Sequence, residues 1–588
     1  MTLRNKESVH NAASGHIYIA GSGLSCALGD SLTTSVAALA SGTAGPQRLL
    51  ETPDGAIPFF AMEPAAPADH VAWLARARTI ICKVVQEATG DAIRHAPLFI
   101  ASSSLDMGAI ERGLAYRTDA HAGTEEIASW LDWQGPVYWI STACTSSINA
   151  LITASQMMRA GLCDDALVLG IELANDYTLR GFAAMQLLSP SAAQPLGADR
   201  DGLVLGEAVA ALRLTISTQS GAQRWALLGG ASVVSNKDAT GASHEAVVSC
   251  WQQALQDGGL GSDGAIDLIK LQAAGSPGSD AIELAAVDTV FARTPALTSL
   301  KAHIGHTLGA SGAAEIALLT ASLEAGVWPA VQHTQDATLA HGLNNTAPAH
   351  CARLLASIIG FGGSHACVVL QDSHATRELP TSEVTTTPSV WEIVGRSGPQ
   401  LAENWQALLA ARLGQRPRRI GTWAEIGLHG ALQCMDAAGE AVLPAGAILR
   451  IASLHGPMDA IRQTLQAIRE DGIAMPFGFL QSQPGQLPAI LAQALQWQGN
   501  ARFVNQRSPF ALIQTACCEA GPQGVLLGWL EESQSADETT QRSASSFWLR
   551  LRPVSTSVNA SFASARLSDL QDCRYLRVTM TGIESAFE

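Results

Sequence analysis

GPVYWISTACTSSINALITASQMMRA, residues 135–160, decides the fold of this chain. Val137, Tyr138, Trp139 and Ile140 are β-branched or aromatic without a break, the composition of a buried strand. Ser141, Thr142 and Ala143 are small residues suited to a turn. After Cys144, Ile148, Leu151 and Ile152 recur at i, i+3 and i+4, which is one face of a helix. The stretch predicts a strand, a tight corner and a helix, with a cysteine at the corner. A thiol there faces the positive end of the helix dipole, which is expected to lower its pKa and supply a thiolate nucleophile. A cysteine also serves as a small core residue, so Cys144 by itself leaves both readings open.

Outward from this corner, further apolar runs end in small residues. HIYIAGSGL (16–24), PLFIASSS (97–104), ALVLGIELA (166–174) and AVAALRLTI (208–216) form one set. WALLGGASVVS (225–235), DLIKLQAAG (267–275), SLKAHIG (299–305), LLASIIGFGG (354–363) and HACVVLQDS (365–373) form a second. The runs are continuous rather than alternating, as in strands of a sheet covered on both faces. Two similar α/β halves are expected.

The chain has 588 residues, too many for one core, so more than one domain is expected. It is 47% hydrophobic and 15% charged, an ordinary globular composition. A net charge of -16 disfavours nonspecific nucleic-acid or membrane-surface binding, and an acidic partner needs a local basic patch. The N-terminus lacks the basic-then-apolar order of a signal peptide, and no apolar run is long enough to span a membrane. The 11 cysteines show no paired CxxC spacing, so a reduced cytoplasmic setting with no metal site is expected.

The second half carries polar groups suited to serve a thiol. SLKAHIGHTLGASGAAE (299–315) holds Lys301 and His306 at a glycine-rich strand-to-helix turn. GFGGSH (360–365) is a glycine turn with one aromatic, Phe361, and such turns expose N–H groups that bind an oxyanion. GSDAIE (278–283) places Asp280 and Glu283 on one helix face.

Taken together, the Cys144 corner, GHTLGASG, GFGG, FAAMQLLSP (182–190) and ADRDGLVLGEA (198–208) resemble the β-ketoacyl-ACP synthases of fatty-acid and polyketide synthesis, polyenes included. The resemblance covers residues 16–373. It implies an α/β thiolase-like fold of two βαβαβ halves in five layers, usually a dimer, with no cofactor. It also implies that Cys144 takes an acyl chain from acyl carrier protein as a thioester. The backbone N–H groups of Cys144 and Phe361 match the family's oxyanion hole, and Phe361 matches a gate beside the thiol. His306 matches one of two histidines that polarise a malonyl thioester. Lys301 and Glu283 match a supporting ion pair or network near the site, with Asp280 beside them.

The departures bear on mechanism. The family's other histidine lies in an NAHGTxT segment; this chain reads QAAGSPGSD (272–280), with Ala274 in the histidine's place and a shorter loop. Gly197 and Ala208 stand where the family often has Asp and Gly. His303 is a candidate substitute for the missing histidine. Acyl transfer needs the thiol and the backbone hole, both present, whereas decarboxylation is expected to be impaired.

The resemblance divides the chain into an N-terminal half (1–216), a C-terminal half (217–373), a polar linker (374–389) and residues 390–588. In the last part an internal repeat is expected. ILRIASLHGPMDAI (448–461) parallels LFIASSSLDMGAI (98–110), and LQWQGNARFVNQRSPFALIQTA (495–516) parallels LDWQGPVYWISTACTSSINALI (131–152). VLLGWLEE (525–532) parallels LVLGIELA (167–174). Ser508 then stands at the Cys144 position, followed by Pro509. The tail thus resembles a truncated, nucleophile-free N-terminal half of a ketosynthase. Three functions remain open: an acyl-loading enzyme, a noncatalytic partner like a chain-length factor in a homodimer or heterodimer, and a cysteine acyltransferase or thioesterase without condensation.

Overall fold

The computed structural model describes residues 15–587, except 43–46, 53–54, 91, 117–120, 218–222, 238–240, 262–265, 381–388, 536–540, 555–557, 559 and 580–581. The N-terminal stretch 1–14 and residues 381–388 of the expected linker lie outside the described residues.

The apolar runs of the first half form strands β1 (His16–Cys26), β2 (Leu98–Ala101), β3 (Val137–Ile140), β4 (Asp165–Glu172) and β5 (Ala208–Ser217). Their order across the sheet is β3-β2-β4-β5-β1, with β3, β2 and β4 parallel and β5 antiparallel to both neighbours. Helix α1 (His70–Thr89), capped by Asp69 accepting from the Ala72 N–H, packs on β1 and β5. Such a cap is worth about 1 kcal/mol. Helix α2 (Ser146–Arg159) packs on β4. It is buried on almost all sides because it lies between two sheets.

The second half repeats the plan with β6 (Trp225–Val234), β7 (Leu268–Lys270), β8 (Ala296–Thr298), β9 (Arg353–Gly360) and β10 (Ser364–Asp372). The order is β8-β7-β9-β10-β6, again with three parallel strands and two antiparallel pairings. Helix α3 (Asp176–Ala184) follows β4; α4 (His244–Asp257) covers the outer face of the second sheet. Helices α5 (Pro277–Val290), α6 (Lys301–Ile304) and α7 (Ser311–Glu324) complete this half. α2 and α7 fill the space between the sheets, giving the layers helix, sheet, helix, sheet, helix. SLKAHIG was expected as a strand. It is the short helix α6, ended by Gly305 at φ +69°, because β8 stops at Thr298 and the chain must turn inward to bury Lys301 and His306.

A third sheet follows. Strands β11 (Val390–Ser397), β12 (Ile448–Ser453), β13 (Ala501–Asn505), β14 (Val525–Glu531) and β15 (Ser545–Pro553) take the order β13-β12-β14-β15-β11, with the same directions as the first sheet. Helix α8 (Thr422–Ala437) covers one face, α9 (Met458–Asp471) follows β12, and α10 (Pro509–Glu519) covers the other face and packs on α2. Ser508 caps α10 by accepting from the Ala511 N–H, and Pro509 occupies its first turn, where a missing N–H costs nothing.

Strand register refines the repeat. Leu98 sits opposite Leu167, and Leu449 opposite Leu526. Glu531 therefore holds the place of Glu172, one residue out from the alignment expected for 525–532. The sheets also join: β13 pairs antiparallel with β3 (Val504 opposite Ile140, Asn505 opposite Trp139), covering an open edge. At the opposite edge, β1 meets β6, whereas β11 meets a hairpin of β16 (Tyr575–Thr579) and β17 (Gly582–Ala586).

Candidate active site

The strand–corner–helix stretch folds as its residues dictate, with one strained point. Ala143 has φ +52°, a left-handed conformation that costs a residue with a Cβ on the order of 1–3 kcal/mol. It turns the chain so that Cys144 lies in a single 3₁₀ turn (Ala143–Thr145) ahead of α2. Side chains hold this turn. Ser146 Oγ accepts from Thr142 N at 2.9 Å and donates to the Ala143 carbonyl at 2.6 Å. Thr145 Oγ1 meets Ser364 Oγ of β10 at 2.9 Å. Gly360 lies against the same turn, where a Cβ would come 3.1 Å from Thr145.

The thiol is 4% exposed, and Cys144 Sγ lies 3.0 Å from His306 Nε2. The other ring nitrogen, Nδ1, lies 3.0 Å from Ser311 Oγ, which accepts from Lys301 Nζ at 3.2 Å. Ser311 Oγ has a second lone pair for an Nδ1–H, and that tautomer leaves Nε2 as an acceptor facing the sulfur. Lys301 is ion-paired with Glu315, which also binds Lys270 at 2.7 Å; all three are buried. The backbone N–H groups of Phe361 and of Cys144 itself are directed at the sulfur.

Burial dominates the electrostatics. It pushes the Cys144 thiol up to about 11, against the Phe361 N–H and the Lys301 charge, which pull it down. The helix N-terminus was expected to lower this pKa, but desolvation of a nearly inaccessible thiol outweighs it. Burial, then Lys301 and Lys270, holds His306 well below its ordinary value, so its ring is neutral. A neutral thiol beside a neutral base makes proton transfer to Nε2 the route to thiolate.

Two expectations are corrected. Glu283 does not pair with Lys301; Glu315, one turn after Ser311 on α7, does. Glu283 instead accepts from the Gln272 and Ala273 N–H groups, both at 2.9 Å. Asp280 accepts from Ala274 at 3.1 Å and Gly275 at 3.2 Å. The two carboxylates fix the loop backbone that carries Ala274. His303 is turned elsewhere: it bonds the Pro329 backbone and lies near His333, with Nε2 unpartnered.

Sequence reasoning missed Ser311, Glu315, Lys270 and Glu172. Glu315 is the one charge in the apolar run SGAAEIALL, a signal that was legible. Glu172 accepts from Ser103 N at 3.1 Å, Ser103 Oγ at 2.8 Å and Gly309 N at 2.9 Å, tying β4 to the segment after His306.

Cys144 opens on a mostly apolar cavity of about 100 Å³. The first half supplies Met107, Ile110, Tyr116, Trp139 and Phe182; residues after 390 supply His455, Met458, Ile461, Pro484, Phe503 and Asn505. Phe361 stands at one side, 5.9 Å from the Phe182 ring, which is 5.8 Å from Phe479. A wider groove of about 1570 Å³ lies at the far end of the second half. Its Cys351 is pushed up to about 12 by burial and then by Asp267 and Asp372, which suits no nucleophile.

Residues 105–219 match the beta-ketoacyl synthase N-terminal domain, and residues 226–335 match its C-terminal domain. The chain is 27% identical over 472 residues to erythronolide synthase EryA2 of Saccharopolyspora erythraea, covering 73% of this chain and 13% of that protein. It is 34% identical over 194 residues to the highly reducing polyketide synthase ALT1 of Alternaria alternata, covering 31% of this chain and 7% of that protein. The chain thus spans a small fraction of the length of these relatives. Among solved structures, the PfaC keto synthase–chain length factor superposes with TM-score 0.71 at 15% identity, covering 95% of this chain and 81% of that one. The ketosynthase ApeO in complex with its chain length factor ApeC from Xenorhabdus doucetiae gives 0.51 at 23%, covering 62% and 100%. The likeness to these structures places all three sheets within a thiolase-like fold. Through residues 105–219 and 226–335, this chain is similar to the beta-ketoacyl synthase family.

Proposed function

We propose that this chain is a ketosynthase-type acyltransferase of fatty-acid or polyketide synthesis. It loads an acyl chain from acyl carrier protein onto Cys144. The observation that carries this reading is the 3.0 Å contact between Cys144 Sγ and His306 Nε2 at the mouth of an apolar cavity. In the loading step the thiol proton moves to Nε2 and sulfur attacks the acyl carbonyl. The Cys144 and Phe361 N–H groups hold the oxyanion. As the intermediate collapses, the carrier's sulfur leaves and takes the proton from Nε2. A cytoplasmic setting suits the free thiols.

Condensation is the weak step. Ala274 offers no side-chain donor where the family has histidine. Loss of one such donor slows enolate formation by about 100- to 1000-fold. That favours a second reading, in which the chain loads and hands on acyl groups without condensing them. CO2 release from malonyl-carrier protein separates the two.

We further propose that residues 390–588 are a degenerate ketosynthase half that plays a partner's part in cis. Its strand β13 occupies the β3 edge, its residues close the cavity, and Ser508 is spent as a helix cap. This fits the coverage of 95% of this chain by the keto synthase–chain length factor structure. Intact-mass analysis after mixing with acyl-carrier proteins is the test. An acyl adduct is expected on the wild type and absent from Cys144→Ala; an unmodified wild type across several acyl donors overturns the reading.

A further inference from the structure

The third sheet departs from the first at one register position. In the first sheet, Phe99 of β2 sits opposite Tyr138 of β3, and their rings stack at 5.0 Å. In the third, the matching pair is Arg450 of β12 opposite Arg502 of β13, both nearly inaccessible. Glu519 of α10 binds both; it lies 2.6 Å from Arg502 Nη1. Two arginines and one glutamate stand where an uncharged aromatic pair serves the same fold. A buried ion cluster in such a place is often no more stable than an apolar one of similar volume. The charges therefore call for a use beyond folding.

Arg502 reaches across the boundary into the first half. Its Nε donates to Asn149 Oδ1 of α2 at 2.9 Å, and Nη1 donates to Thr153 Oγ1. Because Asn149 Oδ1 is held, its amide nitrogen is aimed the other way. There it donates to Thr142 Oγ1 at 2.9 Å and Thr145 Oγ1 at 3.2 Å, the residues on either side of Ala143 and Cys144. Thr145 Oγ1 in turn donates to the Thr142 carbonyl at 2.7 Å, closing the corner. An unbroken chain of buried hydrogen bonds thus runs from Glu519 through Arg502 and Asn149 to the strained turn that presents the thiol.

We infer that Arg502 is a positioning residue for Cys144: it orients Asn149 so that the nucleophile corner is complete only when residues 390–588 are docked. This rests on the reading of Cys144 as the acylated nucleophile. Strain at Ala143 must be opposed by its surroundings, and the Asn149 amide is the clamp that spans it. Without Arg502 the amide is free to rotate, and the Thr142–Thr145 turn relaxes away from His306 Nε2.

The test uses the full chain and four variants. Arg502→Met removes the contact and leaves Arg450 and Glu519 as a balanced pair. Asn149→Leu removes the clamp from the other side. Arg450→Met disturbs the same ion cluster without touching Asn149. The fourth is the double variant of the first two. Rates and half-saturation are measured with the hexanoyl thioester of N-acetylcysteamine, and Cys144 alkylation by iodoacetamide is followed against pH. Arg502→Met and Asn149→Leu are each expected to lower the maximal acylation rate by about tenfold or more, with half-saturation unchanged, because a small displacement of a reacting group is costly. The double variant is expected to be no slower than either single one, as for two links of one chain. Arg450→Met is expected to keep its rate within about twofold while losing comparable stability. The inference is overturned if Arg502→Met and Asn149→Leu react like the wild type, if their losses multiply, or if Arg450→Met is as slow as Arg502→Met. Should Arg502→Met fail to fold, a wild-type rate in Asn149→Leu overturns it alone. A wild type that alkylates at Cys144 but takes no acyl group refutes the acylation reading instead, and the alkylation profiles of the variants then decide the positioning role.

Discussion

At the scale of single residues, burial sets the chemistry. A thiol raised to about 11 is almost wholly protonated at neutral pH, so its reactivity depends on the base beside it. His306→Ala is expected to slow Cys144 alkylation by about 100-fold or more at pH 7. The variant's rate should then climb with pH, tracking free thiol ionisation. The wild-type rate should stay flatter between pH 6 and 8, because His306 is held well below its ordinary value and remains a neutral acceptor over that range. Matching profiles for the two proteins would remove the base role from His306. Ala274 gives the complementary prediction: malonyl-carrier decarboxylation slower than acyl loading by on the order of 100-fold, measured as CO2 release. Cys144, His306 and Lys301 were legible from motif and spacing, and they do converge. The Lys301 partner was not, because Glu283 lies on a helix before Lys301 and Glu315 on one after it, and their distances from Lys301 are decided in three dimensions.

At the scale of elements, two turns carry the site. The β9–β10 turn has Gly362 at φ +82°, with the Gly485 carbonyl only 2.4 Å from where a Cβ would stand. Gly362→Ala is expected to cost about 2 kcal/mol of stability, from backbone strain together with that clash. It should also slow acyl loading, because the Phe361 N–H shares the turn; calorimetry and a loading assay check both. The other turn, 271–275, hangs from the carboxylates of α5. Burial, against the two N–H bonds it accepts, raises Glu283 to about 7, and burial raises Asp280 to about 6. Acids raised in the folded state stabilise it below their unfolded pKa, and that stability is lost as pH rises through the folded value. Each unit by which a folded pKa exceeds the unfolded one is worth about 1.4 kcal/mol. Stability is therefore expected to fall from pH 4.5 to 7, and Glu283→Gln should flatten that fall in denaturant titrations; an unchanged slope would count against the raised Glu283.

At the scale of the whole molecule, three sheets share one plan, and the third completes the first. β13 covers the β3 edge, α10 packs on α2, and residues 455–505 help to wall the cavity. A chain ending at residue 380 would leave the β3 edge unpaired and uncover the side of α2 that α10 and Arg502 pack against. It is expected to self-associate through that edge, as unprotected edge strands do, and to load acyl groups poorly because its cavity lacks a wall. Sedimentation of the shortened chain beside the full one checks this; a monomer with full loading activity would contradict it. Among the described residues no helix is long and apolar enough to cross a membrane.

By itself the sequence determined what local pattern encodes. Strand–corner–helix order, the Cys144 corner, the glycine turns and two repeated α/β halves follow from periodicity and residue type, which act over a few residues. SLKAHIG shows where that ends: an apolar run reads as strand or helix alike, and the need to turn inward after β8 chose helix. The tertiary structure alone decided what depends on burial and on contacts far apart along the chain. It moved the thiol pKa upward despite a helix N-terminus, because desolvation depends on everything packed around the sulfur. It gave Lys301 to Glu315, turned His303 away, and set Glu531 in the place of Glu172 by strand register. It also carried Arg502 to Asn149 across 353 positions of sequence, a contact that no spacing rule reaches.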